Sequence, residues 1–212
     1  FMLLEPNRLA SYIASKICHD LVSPLGAASS ALDFMGDSSD AEMREQAEQL
    51  LISGTTRGLA RLQFLRYAFG SMGLSDGAAD MHEAKSIMEG YIETHKGRIV
   101  WNIQVDSLSF SQIRTVMNMI MLAISCLARD GVIEVDVTAA EGSRVDVVMT
   151  AKGPRARLAP DVTAALNRTE PEDGWNPRTI QPYFTTILFD EVGATLASES
   201  SEDQVKLIGK NL

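Results

Sequence analysis

The run His19-Asp20-Leu21-Val22-Ser23-Pro24-Leu25 lies inside a segment whose apolar residues recur at helical spacing: Leu9, Ile13, Ile17, Leu21, Leu25, Ala28 and Leu32. This pattern predicts a helix from about Glu5 to Phe34. With Leu9 at 0° and an advance of about 100° per residue, Ile13, Ile17, Leu21, Leu25 and Leu32 fall between roughly 40° and 160°, and His19 falls near 280°. His19 therefore belongs to the face opposite the apolar stripe, among Arg8, Tyr12, Ser15, Lys16, Ser23 and Gly26.

Downstream, Gly36-Asp37-Ser38-Ser39-Asp40 reads as a turn, with Ser39 or Asp40 placed to cap a second helix. That helix is predicted from about Ala41 to Phe69, with Met43, Ala47, Leu50, Leu51, Leu59, Leu62, Leu65 and Phe69 on its apolar side. Two long helices joined by a short turn make an antiparallel hairpin. One hairpin cannot bury so much apolar surface by itself. A second copy would complete a four-helix bundle, so a homodimer is expected.

The Gly- and Ser-rich stretch Gly70–Gly77 reads as a linker, after which the pattern changes. Helices are expected over Met81–Thr94, Ser111–Ala128 and Asp161–Leu166. A further helix should open at Asn176 as N-cap, with Pro177 at its first position, and close at Gly193. Strands are expected over Arg98–Val105, Val132–Val137, Val145–Met149 and Val205–Ile208, the middle two joined as a hairpin through Ala140–Ser143. The expected fold class is α + α/β: residues 1–73 a helical-hairpin dimerisation domain, residues 74–212 an α+β sandwich with helices on one face of a mixed sheet.

The chain has 212 residues, 45% of them apolar and 22% charged, as in a soluble globular protein. Nineteen Lys and Arg against 28 Asp and Glu give a formal net charge of −9, which disfavours nucleic-acid and anionic-membrane partners. Cys18 and Cys126 lie far apart, without metal-ligand spacing, and fit a reducing compartment. No signal peptide is evident. The longest apolar run, about Val116–Ala128, is too short to span a bilayer, so a cytoplasmic location is expected. Both cysteines are expected as small buried apolar residues, and Trp101 and Trp175 as core and loop packing.

An exposed histidine is by default a solvated surface residue. Three features argue for chemistry at His19. Ser15, Ser23 and Gly26 are small and admit a partner. Lys16 lies one turn earlier and can attract a phosphoryl group or an acidic partner. Pro24 sits mid-helix, where it withholds a hydrogen bond from the Asp20 carbonyl. Imidazole is nucleophilic near neutral pH and suits phosphoryl relay, and Asp20 can orient the ring. No ligand cluster surrounds His19, so a metal role is not expected.

The His19–Leu25 run resembles the phosphoacceptor box of sensor histidine kinases: His, an acid, Leu, any residue, Ser or Thr, Pro, Leu. Asn118 and the run Leu122–Gly131 resemble the helix and turn of the kinase ATP-binding domain. The resemblance implies a phosphotransfer hairpin followed by an ATPase-like domain. Three departures stand out against it. Leu122 takes the place of an Asn that coordinates Mg²⁺. Ala151-Lys152-Gly153-Pro154-Arg155 carries Ala where the adenine-recognising Asp belongs and Arg where a Gly belongs. Gln181-Pro182-Tyr183-Phe184-Thr185-Thr186 replaces a glycine-rich phosphate loop.

This combination resembles the ChpT-type histidine phosphotransferases of alphaproteobacteria, dimers with a degenerate ATPase-like domain. The resemblance implies that His19 takes a phosphoryl group from the receiver domain of a CckA-like hybrid kinase. It then passes the group to CtrA-like and CpdR-like response regulators in cell-cycle regulation. No cofactor is expected on this chain, and Mg²⁺ is expected on the partner receiver. Asp20 is the expected orienting acid. Tyr12, Ser15, Lys16, Val22, Ser23 and Gly26 are the expected docking surface, although Val22 also reads as dimer core. Two alternatives stay open: an ATP-dependent histidine kinase, and a non-catalytic dimer that binds a regulator.

Overall fold

The computed structural model describes residues 4–37, 40–75, 77–95 and 97–212. The chain opens with two antiparallel helices, α1 (Pro6–Asp37) and α2 (Ala41–Phe69). The first runs past its expected end at Phe34. The second is capped by Asp40, whose carboxylate accepts from the Glu42 N–H at 2.9 Å. Ser38 and Ser39 lie outside the described residues. The helices meet closely where α1 buries Asp20, Pro24, Ala28 and Ala31, and α2 supplies glycine. A Cβ at Gly54 would stand 2.8 Å from the Pro24 carbonyl oxygen.

The apolar stripe of α1 has three environments along its length. Leu9 and Ile13 pack on the second half of the chain, and Ile17 and Leu21 on its main core. Leu25 and Leu32 stay 54% and 57% exposed. On α2, Ala47 and Leu65 are buried, whereas Met43, Leu50, Leu59 and Leu62 face outward.

A 3-10 turn, Ser71–Leu74, occupies part of the expected linker, of which Asp76 lies outside the described residues. Then follow α3 (Met81–Glu93), β1 (Arg98–Ile103), α4 (Phe110–Cys126), β2 (Val132–Ala139) and β3 (Val145–Lys152). The chain ends with α5 (Pro160–Leu166), α6 (Ile180–Glu191), β4 (Thr195–Ser201) and β5 (Gln204–Lys210). The five strands form one sheet in the order β1-β2-β3-β5-β4. Only β1 and β2 are parallel. A parallel pair needs a crossover, and α4 is that crossover. It brings Ile113, Val116, Met117 and Ile120 onto a core shared with Ile133, Val135, Val147, Met149 and Leu207 of the sheet.

Several expected boundaries move. Strand β1 stops at Ile103 instead of Val105, and β2 and β3 run on to Ala139 and Lys152. Helix α4 starts at Phe110 and ends at Cys126. Its start is fixed by a capping box in which Ser109 Oγ accepts from the Gln112 N–H and Gln112 Oε1 accepts from the Ser109 N–H. Helix α6 starts at Ile180, not at Pro177. Asn176 is indeed a cap, since its Oδ1 accepts from the Arg178 and Thr179 N–H groups. What it caps is a separate turn over 177–179. Strand β4 was not expected: Thr195-Leu196-Ala197-Ser198-Glu199-Ser200-Ser201 is an edge strand, mostly exposed and polar, and lacks the alternation that marks a half-buried strand. Among the described residues, no helix is long and apolar enough to cross a membrane.

Candidate functional site

His19 projects from the middle of α1 with 70% of its side chain exposed. Its Nδ1 lies 3.2 Å from Asp20 Oδ1. Neighbours on a helix diverge by about 100°, so the contact requires Asp20 to turn back toward the ring. Lys16, one turn earlier, holds it there: its Nζ donates to both Asp20 oxygens, at 2.7 and 2.9 Å. The Asp20 and Lys16 side chains are only 10% and 15% exposed. The result is an exposed imidazole whose Nδ1 is engaged by Asp20.

Pro24 contributes on the main-chain side. It has no N–H to give the Asp20 carbonyl, and its ring crowds that oxygen. Arg61 of α2 fills the gap: Nη1 donates to Asp20 O at 2.9 Å, and Nε donates to Thr94 Oγ1 at 3.2 Å. Thr94 Oγ1 donates to Tyr91 O at 2.8 Å and lies 3.0 Å from His95 Nδ1. Behind them, the Tyr91 ring stacks on Phe64 with centroids 3.8 Å apart. Burial raises the Tyr91 phenol above its ordinary range, and the Asp20 charge adds to the shift. Burial lowers the His95 pKa, against a smaller opposing effect of its hydrogen bond to Tyr91 O.

A cleft of about 370 Å³ opens beside His19. Lys16, His19, Tyr91 and His95 line it together with Ser125, Asn176 and Arg178. In the sequence Asn176 read only as a helix cap and Ser125 only as part of the Leu122–Gly131 run, and Arg178 was not singled out. Nothing in their local spacing links them to residue 19.

The expected docking residues divide. Ser15, Val22, Ser23 and Gly26 are exposed, Val22 at 67%, and a Cβ on Gly26 would meet open space. Tyr12 departs from the expectation. It is half-buried against the cluster of Ala165, Ile180 and Tyr183, because α1 leans its first turns on α6. Lys16 is committed to Asp20 and is not a free cation. Cys18 is also exposed, contrary to expectation. Cys126 is buried, and its thiol is pushed up to about 12 by that burial. Trp175 packs on Tyr183, while half-buried Trp101 donates from Nε1 to Glu89 at 2.8 Å. Among the described residues, no group of three His, Cys, Asp or Glu is gathered as a metal site.

Of the residues that depart from the kinase pattern, Arg155 is exposed and most of the others are packed. Leu122 and Ala151 are fully buried in the core. Leu127 folds over the following glycines, with its methyls where a Cβ of Gly131 or Gly153 would stand. The Tyr183 hydroxyl accepts from the Leu4 N–H at 2.9 Å, tying the start of α1 to α6. Phe184 lies against Phe69 at the end of α2, and Arg114 sits over its ring.

A family model for the histidine phosphotransferase C-terminal domain matches residues 81–204. The chain belongs to that family. A relative of this phosphotransferase, protein phosphotransferase ChpT of Brucella abortus (strain 2308), is 28% identical over 199 residues, covering 93% of this chain and 92% of the relative. Among solved structures, a bacterial phosphotransferase superposes with a TM-score of 0.87 at 25% identity, covering 99% of this chain and 98% of that one. The catalytic domain of histidine kinase ThkA is more distant, with a TM-score of 0.47 at 15% identity over 65% of this chain and 95% of that one.

Proposed function

We propose that this phosphotransferase is a relay whose phosphoacceptor is His19. It would take a phosphoryl group from the receiver aspartate of a CckA-like hybrid kinase and pass it to the receiver aspartates of CtrA-like and CpdR-like response regulators. The observation that carries the reading is the exposed imidazole with Nδ1 tied to a buried, lysine-clamped aspartate. The Nδ1 proton donates to Asp20, which leaves the Nε2 lone pair to attack phosphorus. The N–P bond forms as the bond from phosphorus to the donor carboxylate oxygen breaks, and the donor aspartate leaves as its carboxylate. The phosphoimidazole retains the Nδ1 proton, and the Asp20 charge stabilises the cationic ring. An acceptor carboxylate then attacks the same phosphorus and returns the lone pair to Nε2. Phosphoryl transfer depends mainly on position and charge, and the receiver's own Mg²⁺ supplies most of the electrophilic stabilisation.

Ser15, Val22, Ser23 and Gly26, with the cleft beside them, form the docking face in this reading. The relay works without ATP. Leu122 offers no oxygen or nitrogen to Mg²⁺, and Ala151 offers no carboxylate to adenine. The chain acts as a homodimer in the cytoplasm. Its bundle interface is supplied by Leu25, Leu32, Leu50, Leu59 and Leu62, an apolar face too extensive for a lone hairpin to leave in water.

The test is incubation with a purified receiver domain carrying aspartyl phosphate. Label should move to this chain and be absent from His19→Ala, which stays folded because the side chain is 70% exposed. Label retained on His19→Ala would refute the assignment.

A further inference from the structure

Arg61 lies on the second helix, remote in sequence from His19, yet it contacts the residue next to it. Asp20 is held at both ends. Lys16 grips its carboxylate, and Arg61 grips its carbonyl oxygen at 2.9 Å. The second contact exists because of Pro24. In an unbroken helix the Asp20 carbonyl would receive the N–H of residue 24, and proline has none. A buried carbonyl without a donor is costly, and a guanidinium is a strong replacement. The same guanidinium is anchored through Nε to Thr94, just past α3, so its position is set from the α/β half of the chain.

We propose that Arg61 is a positioning residue for phosphoryl transfer. It would fix the turn of α1 that carries His19 by supplying the hydrogen bond that Pro24 withholds. This inference rests on the relay reading. Arg61 does not touch the imidazole, and it acts through Asp20. Without it the Asp20 carbonyl must find water or rotate, and the Asp20 carboxylate and the His19 ring move with it. Docking on the exposed face of α1 should be unaffected, because Arg61 is not part of that face.

The experiment is a double-mutant cycle between Arg61 and Pro24, read by phosphoryl uptake from a receiver domain carrying aspartyl phosphate. Arg61→Met should slow uptake about tenfold, a modest share of what a misplaced reacting group can cost. The receiver concentration at half-maximal rate should not change. Pro24→Ala restores the helical N–H, so in that background Arg61→Met should change the rate less than about twofold. Arg61→Lys keeps the charge without the planar fork that reaches both Asp20 and Thr94, and should show a smaller loss that also disappears with Pro24→Ala. The Asp20 carbonyl-carbon NMR resonance gives a readout independent of transfer. It should move on Arg61→Met when Pro24 is present and stay in place with Pro24→Ala. Equal rate losses in both backgrounds, or an unmoved Asp20 resonance, would overturn the proposal. If the unmodified protein takes no phosphoryl group, the relay reading fails, while the resonance cycle still decides whether Arg61 serves the Asp20 carbonyl.

Discussion

Two glycines of α2, one turn apart, should respond to the same substitution with opposite sign. A Cβ at Gly54 would lie 2.8 Å from Pro24 O, 3.0 Å from Ala28 N and 3.1 Å from Ala28 Cβ. Ordinary contacts between carbon atoms lie at about 3.5–4.0 Å, so α1 must move away by roughly half an ångström. Two of the three atoms are backbone and cannot turn aside. Overpacking of this kind costs about 1–3 kcal/mol, and replacing a helical Gly with Ala returns about 1 kcal/mol, so Gly54→Ala should lose about 1 kcal/mol net. At Gly58 the nearest atom is Leu25 Cδ2 at 3.4 Å, the far end of a flexible side chain at van der Waals contact distance. Gly58→Ala should therefore keep most of the helix gain, up to about 1 kcal/mol. For a chain of this length 1 kcal/mol shifts Tm by about 2–4 °C, which separates the two variants by about 4–8 °C. Thermal unfolding at one fixed protein concentration reads this directly and keeps any contribution from association constant. A Gly54→Ala variant that melts at or above Gly58→Ala would refute the close approach of the helices at Pro24.

Leu62→Glu should turn the dimer into monomer with little loss of secondary structure, since Leu62 is 49% exposed in the single chain but would be buried in the bundle; sedimentation checks it, and an unchanged dimer refutes the proposed interface. Stability should fall as pH is lowered through about 6.5, the ordinary value for His95, because burial depresses its folded pKa and the unfolded chain then takes up the proton more readily. Denaturant titrations across that range should show the slope, and His95→Asn should flatten it. Mg·ATP at millimolar concentration should give no saturable heat in calorimetry, with or without Leu122→Asn, because the Ala151 and Tyr183 positions stay as they are; saturable binding to the unmodified protein would restore the kinase reading.

The helical hairpin, the crossover α4 and the paired strands β2 and β3 were legible because each carries its own period and its own turn or cap residues. His19 was legible as outward-facing because its angle on the helix follows from counting. Its surroundings were less so. The spacing of Lys16 and Asp20 suggests an ion pair, but not that burial would make Lys16 unavailable to a partner. Pro24 announces a carbonyl without a helical donor. That Arg61 supplies the donor depends on how α2 packs, which no local pattern encodes. Tyr12 was misplaced because a helical wheel has one inside and one outside, whereas α1 meets α6 with one flank and α2 with another. Strand β4 escaped because an edge strand without buried alternation looks like a loop.

Two residues that stand in place of the phosphate loop, Gln181 and Tyr183, build contacts that fix α6 to the helical hairpin. Gln181 Nε2 donates to both Asn118 O and Asn118 Oδ1, and Asn118 Nδ2 in turn donates to Ala68 O, so α6 is tied through α4 to the last turn of α2. Two residues further along, Tyr183 receives the Leu4 N–H at the start of α1. Helix α6 thus holds the beginning of the hairpin directly and its end through Asn118. A glycine-rich loop around phosphates must open and close, and its residues can hold nothing else. A helix that buries Ile180 and Tyr183 against α1 cannot swing out without exposing both side chains and breaking the Leu4 and Asn118 contacts. In the proposed relay, Gln181 and Tyr183 thus hold α6 in place along the cleft beside His19.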